Sequence, residues 1–269
     1  MMINRVDPRF EMATERLRKI GRVILVCSTK GGVGKSTVAA GLALGLSEIG
    51  RKVGLLDLDV HGTSLGRILN VRAPLRGDRS GIHPTLAQGI KVMSVYSQIG
   101  GEPVPVMGSE LESLVIGLLS QTNWGELDYL VVDMPPGMGG ELMAVLRVAA
   151  PVSEALLVTT PSKMSLEVVR RMVSLLKGER VTMLGVVQSM SYVSCTSGEV
   201  IRPFGRISDE EGSALDGIEM LAELPIDPDL ERVLEEGLGV MEAPLLRGEF
   251  VKLSRLVDEH SREATRRRR

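Results

Sequence analysis

The chain has 269 residues, 43% of them hydrophobic and 25% charged, with a formal net charge of −2. This length and composition allow a sizeable core and are typical of a single α/β domain, and the balanced charge excludes strong whole-molecule attraction to nucleic acid or membrane. The first residues lack the apolar stretch of a secretory signal, and the two cysteines are far apart. We therefore expect a cytoplasmic protein without a disulfide framework.

The first predicted elements form a strand, loop, helix and strand. The run "RVILVC" from Arg22 is continuously apolar and rich in β-branched residues, which indicates a strand buried on both faces. A glycine-rich loop follows, then helical spacing over 35–50 and a second apolar run over 52–59. Such a βαβ unit predicts a doubly wound, mostly parallel sheet with helices on both faces.

The alternation of strands and helices continues to the end of the chain. Further strands are predicted at 90–95, 128–135, 154–161, 181–190 and 219–225, and helices at 109–122, 140–150, 163–178, 228–236 and 244–262. The weakly periodic parts, 71–89 and 191–217, are expected to be loops outside the sheet. We expect one domain over 1–269, with a helical extension over 1–20, an inserted loop region over 191–217, and a helix with a basic tail over 244–269.

The motif that carries the most chemistry is "STKGGVGKST", Ser28 to Thr37. Three glycines let backbone N–H groups converge on an anion, and the following helix points its positive dipole end to the same place. Lys35 is expected to reach the β- and γ-phosphates of a nucleotide, and the Ser36 hydroxyl to bind Mg²⁺. The residues expected to bind the nucleotide at this loop are Thr29, Lys30, Gly31, Gly32, Val33, Gly34, Lys35, Ser36 and Thr37.

Two later strands end in carboxylates. "LLDLD" supplies Asp57 and Asp59, and "YLVVD" supplies Asp133. The carboxyl ends of parallel strands meet at one edge of an open sheet, where ligands bind. Carboxylates beside a phosphate loop suit Mg²⁺, so Ser36, Asp59 and Asp133 are the predicted metal ligands.

The loop departs from the general phosphate-loop pattern, because Thr29 stands where the first glycine belongs and a second lysine, Lys30, follows. In this it resembles the deviant loop of the MinD, ParA and nitrogenase-iron-protein class. "DLDVHG", "DYLVVDMPPG", "TTPSKMSLEVVRRM" and "LGVVQSMSY" are similar to the Mrp/ApbC branch of that class. The resemblance implies an ATP-hydrolysing homodimer of the P-loop fold, in a branch that handles iron–sulfur clusters.

The resemblance also implies roles for Lys30 and Asp59. Lys30 would reach across the two-fold interface to the phosphates of the partner subunit, with a second contact inside its own subunit as the alternative. Asp59 would orient or activate the attacking water. Together with Lys35, these are the expected catalytic residues, and Asp57 has no role beyond support of the loop.

Three positions depart from the branch. Met138 and Gly140 replace a hydroxyl and a carboxylate after the second acidic motif. Ser189 replaces the asparagine that recognises adenine in the branch; the shorter side chain would make base selectivity weaker or leave it to the backbone near Pro225, and both positions are expected at the nucleotide. Cys195 stands alone where a Cys-x-x-Cys pair would bind a cluster, so it is a partial iron–sulfur ligand, a remnant or a plain loop thiol.

The expected function is a Mg²⁺-dependent ATPase that carries iron–sulfur clusters to client apoproteins. The alternatives are a positioning ATPase that binds membrane or DNA when dimeric, and a regulatory ATPase without a cluster. A membrane role would use Phe250, Leu253, Leu256 and Val257 of the last helix, although these residues more often dock on a core. The Arg266 to Arg269 tail is expected to be solvated.

Overall fold

The computed structural model describes residues 7–59, 65–71, 76–94, 109–195, 197–205 and 217–267. Its strands are β1 (Arg22–Ser28), β2 (Val53–Asp57), β3 (Arg76–Asp78), β4 (Gly81–His83), β5 (Thr85–Ala87), β6 (Ile90–Ser94), β7 (Tyr129–Asp133), β8 (Ser153–Thr159), β9 (Thr182–Ser194), β10 (Val200–Ile201) and β11 (Met220–Pro225). Its α-helices are α1 (Pro8–Arg18), α2 (Lys35–Glu48), α3 (Leu65–Ile68), α4 (Ser109–Gln121), α5 (Gly140–Ala149), α6 (Lys163–Gly178), α7 (Leu230–Glu235) and α8 (Pro244–Arg267). Short 3₁₀ turns lie at Ala150–Val152 and Val240–Glu242.

Parallel strands form the centre of the main sheet, in the order β11-β9-β8-β1-β7-β2-β6. β5 joins the β6 edge in the antiparallel sense, and β10 pairs antiparallel with the far end of β9. β3 and β4 form a separate hairpin. The predicted fold class, a mostly parallel α/β sheet, is confirmed.

The sheet separates two hydrophobic cores, and β1 contributes to both. Val23, Leu25 and Cys27 pack on the face covered by α1, α4, α5 and α6. Ile24 and Val26 pack on the opposite face, against α2 and α8. Because successive side chains of a strand point to opposite faces, a strand covered on both sides must be apolar throughout. This explains the continuous apolar run that predicted β1.

Two regions predicted to be loops contain short strands. Within 71–89 lie β3, β4 and β5, and within 191–217 β9 extends to Ser194 and is followed by β10. Most side chains of these strands are exposed or half-buried, so the sequence there has no apolar periodicity. Backbone pairing with neighbouring strands, which leaves no sequence pattern, gives them their structure. Both regions lie partly outside the described residues.

Helix α8 docks on helix α2. Phe250 is fully buried, and a Cβ on Gly41 of α2 would lie 2.5 Å from its ring. The Ser254 hydroxyl donates to the Leu42 carbonyl at 3.2 Å. The core-docking interpretation of this helix is therefore confirmed, except that Leu256 is 36% exposed.

No described helix is long and apolar enough to cross a membrane. The side chains of the predicted basic tail, Arg266 to Arg269, lie outside the described residues.

We predict that Phe250→Ala lowers the free energy of unfolding by about 3–5 kcal/mol, because the lost ring leaves a cavity opposite Gly41. The matched control is Leu256→Ala on the same helix, which should change that free energy by less than about 1 kcal/mol. Chemical denaturation measures both. Equal losses for the two variants would contradict the docking.

Candidate functional site

The phosphate loop joins β1 to α2 through two glycines in the left-handed region. Gly32 has φ 74° and Gly34 has φ 79°, a backbone conformation in which side chains other than glycine are strained. Gly34 is also the N-cap of α2, and no side chain caps the helix there. The first N–H groups of α2 are therefore available to an anion, as the sequence predicts.

The loop forms one wall of a cavity of about 470 Å³. Lys30, Lys35, Ser36 and Thr37 line it from the loop, and Asp59 lines it from the segment after β2. Thr29 is half-buried at the start of the loop, Gly31 and Gly32 are exposed, and Val33 is buried. The structure thus brings the Asp59 carboxylate next to the phosphate loop, although the two are far apart in the sequence.

Lys35 connects this loop to two strand ends. Its side chain is only 6% exposed, and its ammonium Nζ lies 2.6 Å from Asp133 Oδ1 and 3.6 Å from Asp59 Oδ2. A buried ammonium requires such partners, because an unpaired charge in the interior is strongly unfavourable. The two carboxylates thereby hold the lysine at the floor of the cavity.

Asp57 and Asp133 lie side by side at the ends of the adjacent strands β2 and β7. Burial, and then the charge of Asp133, raise the pKa of the Asp57 carboxyl to about 7. Burial also raises the pKa of Asp133, while the Lys35 ammonium acts in the opposite direction. The carboxylates outnumber the ammonium, so the site favours a further cation.

The residues present fit a magnesium ion. Asp133 Oδ2 is buried and has no hydrogen-bond partner of normal geometry in the described structure. Ser36 follows Lys35 in the first turn of α2 and lines the same cavity. No cluster of three or more His, Cys, Asp or Glu able to hold a metal occurs among the described residues. Mg²⁺ does not require such a cluster, since it binds one or two carboxylates, water and substrate phosphates.

Ser189 and Pro225, predicted to recognise the base, lie in different surroundings. A Cβ on Gly34 would lie 2.7 Å from Ser189 Oγ, so Ser189 packs against the phosphate loop itself. Pro225 is buried at the end of β11, opposite Tyr192. Base recognition by these two residues stays a prediction.

Three residues that line the cavity were not predicted to bind the nucleotide, and Ser28, at the end of β1, is one of them. Met190 lines the cavity with φ 56°, a left-handed conformation unusual for a residue inside a strand. Pro136 lines it from the segment after β7. The "PPG" motif was a signal for Pro136, whereas nothing in the sequence indicates the backbone conformation of Met190.

The two cysteines occupy contrasting positions. Cys195 is half-exposed in the turn between β9 and β10, where its N–H donates to the Glu199 carbonyl at 2.8 Å. Cys27 is buried in β1, and burial raises the pKa of its thiol to about 12. A second molecule can therefore reach the sulfur of Cys195 and not that of Cys27.

The parallel sheet, the glycine loop at the start of α2 and its lysine paired with strand-end carboxylates define the class: this is a P-loop NTPase. The family model for ParA, described as the NUBPL iron-transfer P-loop NTPase, matches residues 19–253, and the chain belongs to this family.

Two relatives are similar to this chain in sequence over most of its length. An iron–sulfur cluster carrier protein of Saccharolobus solfataricus is 35% identical over 241 residues, which cover 87% of this chain and 80% of the relative. The cytosolic Fe-S cluster assembly factor NUBP2 of Homo sapiens is 40% identical over 231 residues, covering 82% and 85% respectively.

Solved structures agree in fold. A nucleotide-binding protein from Archaeoglobus fulgidus, in complex with ADP and with Co, has a TM-score of 0.77 and 34% identity, covering 90% of this chain and 96% of that one. The cell division ATPase MinD of Pyrococcus furiosus has a TM-score of 0.65 at 23% identity, covering 89% and 99%. The second likeness shows the fold alone.

We predict that Lys35→Ala lowers the affinity for ATP about 10-fold to 150-fold, because it removes a charged hydrogen bond of about 1.5–3 kcal/mol. Isothermal calorimetry measures the change. Lys52→Ala is the matched control, since Lys52 is an exposed lysine paired with Glu126. Unchanged affinity in the Lys35 variant, with an unfolding curve that shows the variant is folded, would reject the phosphate-loop assignment.

Proposed function

We propose that this chain is a homodimeric, Mg²⁺-dependent ATPase that carries iron–sulfur clusters to client apoproteins. The observation that carries the proposal is the buried Lys35 ammonium, which lies between Asp133 and Asp59 beside the glycine loop. The family and the names of the relatives support cluster transfer as the purpose of the ATPase.

ATP would bind with its phosphates along the N–H groups of the loop and its terminal phosphates at Lys35. Ser36 and Asp133 would hold Mg²⁺, with Asp59 directly or through water. When bound there, the ion would supply positive charge that stabilises the phosphates. Asp59 would orient a water whose oxygen attacks the γ-phosphorus, while the bond to the β–γ bridging oxygen breaks. ADP leaves with that oxygen, and the water's oxygen becomes part of inorganic phosphate.

Lys30 would act on the partner subunit's nucleotide. It is exposed at the rim of the cavity, and its ammonium makes no ion pair with any described residue. A cation supplied from the second subunit would stabilise charge on the transferring phosphoryl group. Hydrolysis would then require the dimer, and ATP would both favour its assembly and limit its lifetime.

Cys195 would be the cluster ligand of each subunit. It is half-exposed at a turn, where a second molecule can reach it, whereas Cys27 is buried and its raised pKa keeps the thiol protonated. A cluster usually takes four protein ligands, and a dimer supplies Cys195 twice. The remaining ligands would come from exogenous thiols, a hydroxyl such as Ser197, or cysteines of the client. This arrangement favours transient carriage over permanent storage.

The positioning alternative has less support. Its membrane-binding form needs the apolar face of α8, and the buried residues of that face, Phe250, Leu253 and Val257, pack in the core. A regulatory ATPase without a cluster is the function that follows if Cys195 binds no iron. A cytoplasmic location is part of the main proposal, in line with the name of the human relative.

Mixed dimers test the role of Lys30. We expect neither Lys30→Ala nor Asp59→Ala to hydrolyse ATP well as a pure dimer. Mixing them should restore hydrolysis, because in the mixed dimer one site combines an intact Asp59 with an intact Lys30 from the other subunit. Phosphate release measures recovery, and differently tagged subunits show that mixed dimers form. If they form without recovery, Lys30 acts within its own subunit.

Reconstitution tests the role of Cys195. With iron and sulfide under anaerobic conditions, we expect substoichiometric iron per dimer that passes to an acceptor apoprotein. Cys195→Ser should abolish this uptake, while the matched control Cys27→Ala should retain it. Absorbance and iron content per dimer are the measurements. If Cys195→Ser keeps the same iron, or the unaltered chain takes up none even with a client present, cluster carriage fails and the regulatory alternative replaces it.

A further inference from the structure

Asp57 has no place in the proposed chemistry, although it is among the most buried carboxylates of the site. It ends β2 and is 1% exposed. Its neighbours in the sheet are Ser94 at the end of β6 and Asp133 at the end of β7. The Lys35 ion pairs are to Asp133 and Asp59. Any role of Asp57 therefore depends on the hydrogen bonds that its two carboxylate oxygens accept.

Both oxygens of Asp57 are hydrogen-bonded within the chain. Oδ1 accepts from the backbone N–H of Asp59 at 3.0 Å. Oδ2 accepts from the Ser94 hydroxyl at 2.8 Å. Ser94 therefore fixes the orientation of the carboxylate, and the carboxylate fixes the backbone of the residue two positions on.

The backbone between these two aspartates is held at a second point. The N–H of Leu58 donates to the Asp133 carbonyl at 3.0 Å, and the Leu58 side chain is fully buried. Asp59 thus leaves β2 with its backbone attached to the strand end by two hydrogen bonds. Its carboxylate lies in the cavity, 3.6 Å from Lys35.

We propose that Asp57 is a positioning residue for ATP hydrolysis, acting through the backbone of Asp59 with Ser94 as its support. This inference rests on the proposed function. A carboxylate that orients water must be held within a fraction of an ångström, and a displacement of about 1 Å can cost about 100-fold in rate. Asp57 does not touch the nucleotide; it sets where Asp59 stands.

The first test separates catalysis from binding. Asp57→Ala should lower kcat about 10-fold to 100-fold and change the KM for ATP by less than about threefold, because the phosphate loop and Lys35 are untouched. Asp57→Asn should recover most of the rate, since its amide oxygen accepts from the Asp59 N–H and its NH₂ donates to Ser94. Ser94→Ala should give a smaller loss of the same kind.

The second test is a double-mutant cycle. If Asp57 works through Asp59, adding Asp57→Ala to Asp59→Ala should slow hydrolysis no further. A merely structural role predicts additive losses and no recovery by Asp57→Asn. Glu154→Gln is the matched control: Glu154 is a buried carboxylate, paired with Arg22, at the opposite edge of the sheet. It should lower thermal stability without the selective loss of kcat.

Additive losses in the cycle, or an unchanged kcat in a folded Asp57→Ala variant, would overturn the inference. Absence of hydrolysis by the unaltered chain would instead overturn the proposed function. A positioning role in hydrolysis would fall with it, whereas the first two outcomes overturn the inference and leave the proposed function standing.

Discussion

The contact on which the site depends is the ion pair between the Lys35 ammonium and Asp133. Lys35 opens α2, where the positive end of the helix dipole disfavours a cation, and it is almost fully buried. The charge is tolerated because Asp133 lies 2.6 Å away and Asp59 lies 3.6 Å away. One side chain, that of Lys35, therefore connects the phosphate loop to the ends of β2 and β7. These ion pairs fix the positions of the three segments relative to one another.

The sheet topology makes that contact possible. β2, β7 and β1 are adjacent and parallel, so the carboxylates that end β2 and β7 arrive at the edge where β1 gives way to the phosphate loop. Their side-by-side arrangement is electrostatically unfavourable: burial, and then the charge of Asp133, raise the pKa of the Asp57 carboxyl. Lys35 offsets part of this repulsion, and hydrogen bonds from Ser94 and the Asp59 backbone offset more. The remaining negative charge is what a magnesium ion would neutralise.

The sequence predicted those strands, helices and loops that depend on the pattern of neighbouring residues in the chain. Apolar runs indicated the buried strands, and the glycine spacing indicated the loop and the start of α2. It could not predict β10 or the extension of β9, because these depend on backbone pairing between exposed segments. The hydrogen bond from Ser94 to Asp57 could not be predicted either, because it depends on β2 and β6 being neighbours in the sheet, and the sequence does not show the strand order. The sequence predicts that Ser189 contributes to recognition of the base. It does not predict that Ser189 packs against Gly34, because this contact depends on how the folded chain brings the two residues together.

The long strand β9 connects the two chemistries of the proposed carrier. Ser189 packs on the phosphate loop, Met190 lines the cavity, and the same strand then runs through Ser194 to the turn that presents Cys195. The left-handed backbone at Met190 interrupts the regular strand between these two places. Before Met190 the strand packs on the phosphate loop through Ser189, and after Met190 it pairs with β10. Cys195 thus follows Met190 by five positions in the chain, so the cavity and the proposed cluster ligand are joined by the last residues of one strand.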